Sequence, residues 1–207
     1  MDCLDGLVIG TRENLEIVLN LPSSRPLAKA VILDRDGTII EHIPYLSEPS
    51  EVRLLPGVAG GLLRLQEAGM ALILHSNQSG VGRGMFDLRA VQTCNSRMLE
   101  LLGMSSFERM CIAPERPDEP AEYRKPSSRL ADEICRDLRL QPSALCYVGD
   151  RGTDLATAAA AGTAGIGVRT GRGNLDVELE ELGLVGRYPI VDDFSQVVDV
   201  ILRGSEV

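Results

Sequence analysis

Val31-Ile-Leu-Asp34-Arg-Asp36-Gly37-Thr38-Ile-Ile40 is an apolar run that ends abruptly in two carboxylates, a glycine and a threonine. Strand side chains alternate with period two, so Asp34 and Asp36 are expected to leave the strand end on one side. Carboxylates that converge at a strand mouth repel each other unless a cation lies between them. Mg²⁺ suits such a place, because it takes one or two protein carboxylates and fills its octahedron with water and phosphate oxygens. Gly37 allows a sharp turn, and Thr38 is placed to hydrogen-bond it. Alone, the stretch also fits a plain strand ending in an Asp-Gly turn.

Four further apolar runs of strand length follow Ala30–Leu33: Met70–His75, Met110–Ala113, Leu145–Val148 and Gly165–Val168. Helical periodicity lies between them, over Val58–Ala68, Leu88–Leu102, Ser128–Leu138 and the alanine-rich Thr153–Ala161. Pro56 precedes the first of these helices, and Gly69 and Gly162 follow two of them, as start and stop signals require. Alternation of this kind predicts an α/β fold, a Rossmann-like parallel sheet with helices on both faces. Ligands on such sheets bind outside the carboxyl ends of the strands. Residues 1–27 stand apart as an N-terminal extension closed by the linker Pro22-Ser-Ser-Arg-Pro26, which leaves residues 28–207 for the domain.

The chain has 207 residues, no tryptophan and a formal net charge of −9, so its core must be aliphatic and its surface acidic. An acidic surface argues against nucleic acid or an anionic membrane as partner. No apolar run reaches membrane-spanning length, and no secretory leader pattern is present. A cytoplasmic monomer acting on a small molecule is expected. The five cysteines show no paired spacing and read as reduced thiols, Cys146 in the core.

Three segments beyond Asp34 and Asp36 carry chemistry. Leu72-Ile-Leu-His75-Ser76-Asn77-Gln78-Ser79-Gly80 ends a strand in a hydroxyl and amides, then a loop with Gly80, Gly82 and Gly84. Ser76, Asn77 and free backbone N–H groups there can hold phosphate oxygens. Tyr123-Arg124-Lys125-Pro126 projects an ammonium just ahead of a helix, since a residue before proline avoids helical geometry. Val148-Gly149-Asp150-Arg151-Gly152-Thr153-Asp154 puts Asp150 at a strand end and Asp154 a helical turn later. A carboxylate at the Asp154 position is also favoured by the helix dipole whatever its function. His75 reads as a packed histidine bonded to backbone, and His42 and Tyr45 as wall residues of the pocket.

In this order, D-x-D-G-T, S-N-Q-S-G, R-K-P and G-D-x-x-x-D resemble the four motifs of the haloacid dehalogenase superfamily over about residues 28–200. Tyr45-Leu46, Leu54-Leu-Pro56-Gly57-Val58, Arg83-Gly84, Arg124-Lys-Pro126 and Val168-Arg-Thr-Gly171 resemble the heptose-1,7-bisphosphate phosphatases within it. Histidinol-phosphate phosphatases share most of these motifs, and Gly149-Asp-Arg151 is similar to theirs. The resemblance implies Asp34 as nucleophile and Asp36 as general acid and base. It implies Mg²⁺ on Asp34, the Asp36 carbonyl and Asp150, and a phosphoryl group held by Ser76 and Lys125. Arg124, then Arg83, become the substrate-phosphate contacts. Thr38 and Asp154 become supporting residues, the latter orienting Lys125 or a metal-bound water. A catalytically silent binding module on the same fold is the alternative of another class.

One departure stands out. The subfamily usually carries structural zinc in the loop before R-K-P, on a C-x-H and a C-x-C. Those places here hold Ala113, Glu115, Ala121 and Tyr123, so no zinc is expected. Pro114, Pro117 and Pro120 recur every third residue and predict a stiff polyproline II path that replaces the metal. Glu115, Asp118, Glu119 and Glu122 would oppose a doubly anionic substrate. The short connections leave no room for a large cap domain.

Overall fold

The computed structural model describes residues 28–203, so the expected extension over residues 1–27 lies outside them. Six strands form one sheet: β1 (Ala30–Leu33), β2 (Ala71–Asn77), β3 (Arg109–Ala113), β4 (Leu145–Gly149), β5 (Ala164–Val168) and β6 (Ile190–Val191). All neighbouring pairs are parallel, in the order β3-β2-β1-β4-β5-β6. Seven α-helices connect them among the described residues: α1 (Val58–Glu67), α2 (Ser79–Gly82), α3 (Leu88–Leu102), α4 (Arg129–Leu138), α5 (Gly152–Ala161), α6 (Leu175–Glu181) and α7 (Phe194–Arg203). The expected Rossmann-like architecture is therefore the observed one.

Period-two alternation sorts the sheet residues between two cores. Val31, Leu33, Leu72, Leu74, Cys146 and Val148 face one side, against α1, α3 and α7. Ala30, Ile32, Ile73, Leu145 and Tyr147 face the other, against Leu130, Ala131 and Ile134 of α4 and Ala158 of α5. Burial of a side chain of this size is worth about 1.5–3 kcal/mol, and truncating Ile32 to alanine costs about 2–5 kcal/mol. Central strands buried on both faces explain why β1 reads as unbroken apolar sequence.

Strand order reverses between β1 and β4, where the carboxyl ends diverge and leave a crevice. Two connections shape its mouth. β1 leads to β2 through a 3₁₀ turn (Pro49–Glu51) and α1, while β3 leads to α4 through the proline-containing loop. No helix among the described residues is long and apolar enough to cross a membrane.

That proline-containing loop corrects one expectation. It turns at Arg116–Glu119, where Glu119 N–H donates to Arg116 O at 3.2 Å, so Pro117 occupies the second position of a turn. A turn is incompatible with a continuous polyproline II run. The glycine-rich segment after β2 differs too: Ser79–Gly82 closes one short helical turn instead of an open loop. Close packing explains its glycines, since a Cβ at Gly80 would strike the Phe86 ring and one at Gly82 the Pro114 carbonyl.

Candidate active site at the carboxyl ends of the sheet

The strand ends bring Asp34 from β1 and Asp150 from β4 side by side, and α5 adds Asp154 from its first turn. Oxygens of these three carboxylates lie within 4.8 Å of one another. Lys125 reaches them from the opposite side: its Nζ donates to Asp34 Oδ1 at 2.6 Å and to Asp154 Oδ1 at 2.5 Å. All four side chains are buried. Three carboxylates thus face one ammonium away from water.

That imbalance shows in the protonation energetics. Burial first, then the charges of Asp34 and Asp154, push Asp150 up to about 9. Burial also raises Asp34, with Lys125 opposing. Burial disfavours the Lys125 ammonium, but Asp154 and Asp34 more than offset this and hold it well above the usual lysine range. A divalent cation inverts the balance for the carboxylates, since it is the largest local charge in any site it occupies.

Hydrogen bonding distinguishes the three acids. Both oxygens of Asp154 have partners: Oδ1 accepts from Lys125, and Oδ2 accepts the Arg151 backbone N–H at 3.0 Å as part of the α5 cap. Asp150 differs. Its Oδ1 meets Thr38 only at 3.5 Å, and its buried Oδ2 has no partner. A buried carboxylate oxygen with nothing to accept from, beside Asp34, fits a hard oxygen-seeking cation such as Mg²⁺. The turn around it is built for close approach. A Cβ at Gly171 would collide with the Asp150 carboxylate, and one at Gly37, at φ 87°, would also strike it, though less severely. Thr170 Oγ1 ties the two segments by donating to Gly37 O at 2.6 Å.

Asp36 sits apart from this cluster, which differs from the expectation of two carboxylates converging on one ion. Chain reversal after β1 turns its side chain toward Arg35 (Nε and Nη2, both 3.1 Å) and Gln78 (Nε2, 2.8 Å). Arg35 is itself buried and anchored by Nη1 to Asn95 Oδ1 at 2.9 Å. Asp36 therefore faces the cleft with a fixed direction.

The cleft encloses about 420 Å³. Asp34, Asp36, Lys125 and Asp154 lie at its base, and Arg124, Arg151 and Asn77 also line it. Ile43, Tyr45, Leu46 and Phe86 make an apolar wall, with His42 beside them. Ser76 is buried beneath the lining, where its hydroxyl accepts from Gln78 Nε2 at 2.8 Å and keeps its own proton to donate. Asn77 spends both ends of its amide on the Lys125 backbone, not on a ligand: Lys125 N–H donates to Oδ1 at 3.0 Å, and Nδ2 donates to Lys125 O at 3.3 Å. Arg124 is steadied by Nη1 donating to Glu115 O at 3.0 Å. Arg83 is exposed at the end of α2 and outside the lining. Asp150 lines a separate recess with Arg169 and Arg172 and is not among the residues that line the cleft, and Arg169 is paired with Asp176 and Asp192.

The acidic loop is less of an obstacle to anions than expected. Asp118 and Glu119 are engaged by Arg116 and Glu122 by Arg129, while Glu115 keeps a buried Oε2 without a partner, and none of the four lines the cleft. His75 is buried, and burial followed by Lys125 lowers its pKa to about 3. Its neutral ring bonds the Tyr123 carbonyl. Gln78, Arg35 and Asn95 are site residues that sequence reading left out. A polar Asn95 amid the buried Val91, Cys94 and Met98 of α3 was the available signal.

A profile of the HAD-hydrolase-like family matches residues 122–197. The D-glycero-D-manno-heptose-1,7-bisphosphate 7-phosphatase of Chlorobaculum tepidum is 32% identical over 193 residues, covering 86% of this chain and 96% of its own. D-glycero-beta-D-manno-heptose-1,7-bisphosphate 7-phosphatase of Bordetella bronchiseptica is 30% identical over 180 residues, covering 86% and 99%. The crystal structure of D,D-heptose 1,7-bisphosphate phosphatase from B. bronchiseptica, complexed with magnesium and phosphate, matches with a TM-score of 0.77 at 30% identity. It covers 86% of this chain and 99% of that one.

Proposed function

The chain belongs to the HAD-like phosphatases and is thus a phosphoric monoester hydrolase, and from that premise we propose that it cleaves a sugar phosphate, D-glycero-D-manno-heptose 1,7-bisphosphate being the favoured substrate, through an aspartyl-phosphate on Asp34. The observation that carries the reading is the buried constellation of Asp34, Lys125, Asp154 and the unpartnered Asp150 oxygen. The substrate follows from the relatives' activity and from a cleft that pairs an apolar wall with Arg124 and Arg151.

An Asp34 carboxylate oxygen attacks phosphorus as the bond from phosphorus to the sugar oxygen breaks, and Asp36 gives that oxygen its proton. Water then attacks phosphorus of the acyl phosphate while Asp36 takes up its proton. Inorganic phosphate leaves and Asp34 is a carboxylate again. Lys125 and Ser76 hold the transferring oxygens, so the residues act chiefly by position and charge. Arg35 and Gln78 keep Asp36 aimed at the leaving oxygen. Asp34, Asp150 and the Asp36 carbonyl would hold Mg²⁺, which when bound supplies the positive charge that lets an anionic nucleophile meet an anionic ester.

A panel of phosphorylated sugars with histidinol phosphate, assayed with Mg²⁺ and after chelation, tests the proposal. Turnover is expected on the heptose bisphosphate, to be lost on chelation and in Asp34→Asn. Faster turnover of histidinol phosphate reassigns the substrate. Absence of turnover on every ester leaves a silent module.

A further inference from the structure

Side chains two apart on a strand point the same way, and β2 uses that to grip the segment that carries Lys125. His75 Nε2 lies 2.7 Å from the Tyr123 carbonyl, and Asn77 meets both backbone groups of Lys125. The two rungs are two residues apart on the strand and two apart on the loop. A carbonyl only accepts, so Nε2 carries the ring proton. The other nitrogen of the neutral ring, Nδ1, then accepts from Tyr147 Oη at 3.3 Å, so this hydroxyl from β4 holds the far side of the ring. Tyr123 is held at its far end as well: its hydroxyl donates to Glu133 at 2.8 Å, and Arg129 lies 4.9 Å from its ring centroid.

We infer that His75 is a positioning residue for Lys125: with its ring held by Tyr147, it pins the Tyr123 carbonyl and so fixes the start of the short path that brings the Lys125 ammonium between Asp34 and Asp154. The inference rests on Lys125 acting on the transferring phosphoryl group. His75 contacts neither that group nor the nucleophile. Its contribution passes through backbone, so it bears on the rate of the step and not on recognition of the sugar.

The test compares steady-state constants of His75→Leu, His75→Gln and Tyr147→Phe with wild type, repeating His75→Leu in a Lys125→Met background. A glutamine amide places a donor where Nε2 stands. His75→Leu is expected to lower kcat about tenfold with KM within about twofold, a loss of the size small misplacements produce. His75→Gln should recover most of the rate, Tyr147→Phe should lose about threefold, and His75→Leu should add little once Lys125 is gone. Where His75→Leu does not fold, the near-isosteric Tyr147→Phe decides. The inference is overturned by unchanged kcat in folded His75→Leu or in Tyr147→Phe, by equal losses in the leucine and glutamine variants, or by a full loss in the Lys125→Met background. An inactive wild type would instead sink the phosphatase reading.

Discussion

Charge pairs occur in two settings in this molecule, and they do different work. Lys125 joins Asp34 and Asp154 with side chains that are 3%, 11% and 1% exposed. In the loop before it, Arg116 joins Asp118 with side chains 40% and 64% exposed. Geometry is comparable, and the Arg116 pair is bidentate. In water, side-chain entropy and screening leave such a pair with little net stabilisation. Out of water, each charge has lost several kcal/mol of hydration, and losing one partner exposes the whole deficit. The exposed pairs tidy a loop. The buried set is one that the fold sustains at a cost in lost hydration.

Removing the ammonium tests this most severely. Lys125→Met is expected to lower kcat by about 10³ and, because it leaves Asp34 and Asp154 without a counter-charge, to lower the unfolding midpoint followed by circular dichroism while the variant still folds; a near-normal rate and midpoint would put the buried set on a par with the surface pairs. Next comes the approach to Asp150. Gly171→Ala drives a Cβ into that carboxylate, and calorimetric titration with Mg²⁺ should show affinity about 10–100-fold weaker. Unchanged affinity would separate the orphan oxygen from the cation.

A third measurement uses pH. His75 falls from 6.5 to about 3 in the folded state, so between these values the unfolded chain takes up a proton that the native chain refuses. Its contribution is complete above pH 6.5 and shrinks as pH falls. Lys125 adds to the suppression, and Tyr147 holds the facing nitrogen. Urea unfolding at pH 7.5 and pH 5 should show wild type losing about 2 kcal/mol more than His75→Gln. Equal losses would mean that the ring is not kept neutral. Smallest is Arg116→Ala, expected to leave the unfolding midpoint close to that of wild type. A drop as large as that of Lys125→Met would erase the contrast between loop and crevice.

Much of this was legible in the chain. β1 and α3 have the expected bounds, β3, β4 and β5 differ from expectation by one residue at one end, and β2 by one residue at its start and two at its end, because long apolar runs and periodic faces report burial directly. β6 escaped notice, since two residues carry no periodicity. α2 ran against local preference, with two glycines in four residues, and exists because Phe86 and Pro114 crowd it. Among site residues, Asp34, Asp150, Asp154 and Lys125 announced themselves by position after strands. Arg35 did not, because nothing local marks an arginine as buried until Asn95 arrives from sixty residues away.

Residue order was enough to establish a parallel α/β sheet, two carboxylates after its first strand, a lysine before a proline and a final acidic pair, because periodicity and turn chemistry are local. Which acids share a cavity, which oxygen lacks a partner, and which strand side chains grip the lysine's backbone depended on packing. Those facts join atoms from β1, β2, β4 and a distant loop, and only closure of the sheet brings their separate directions to one point.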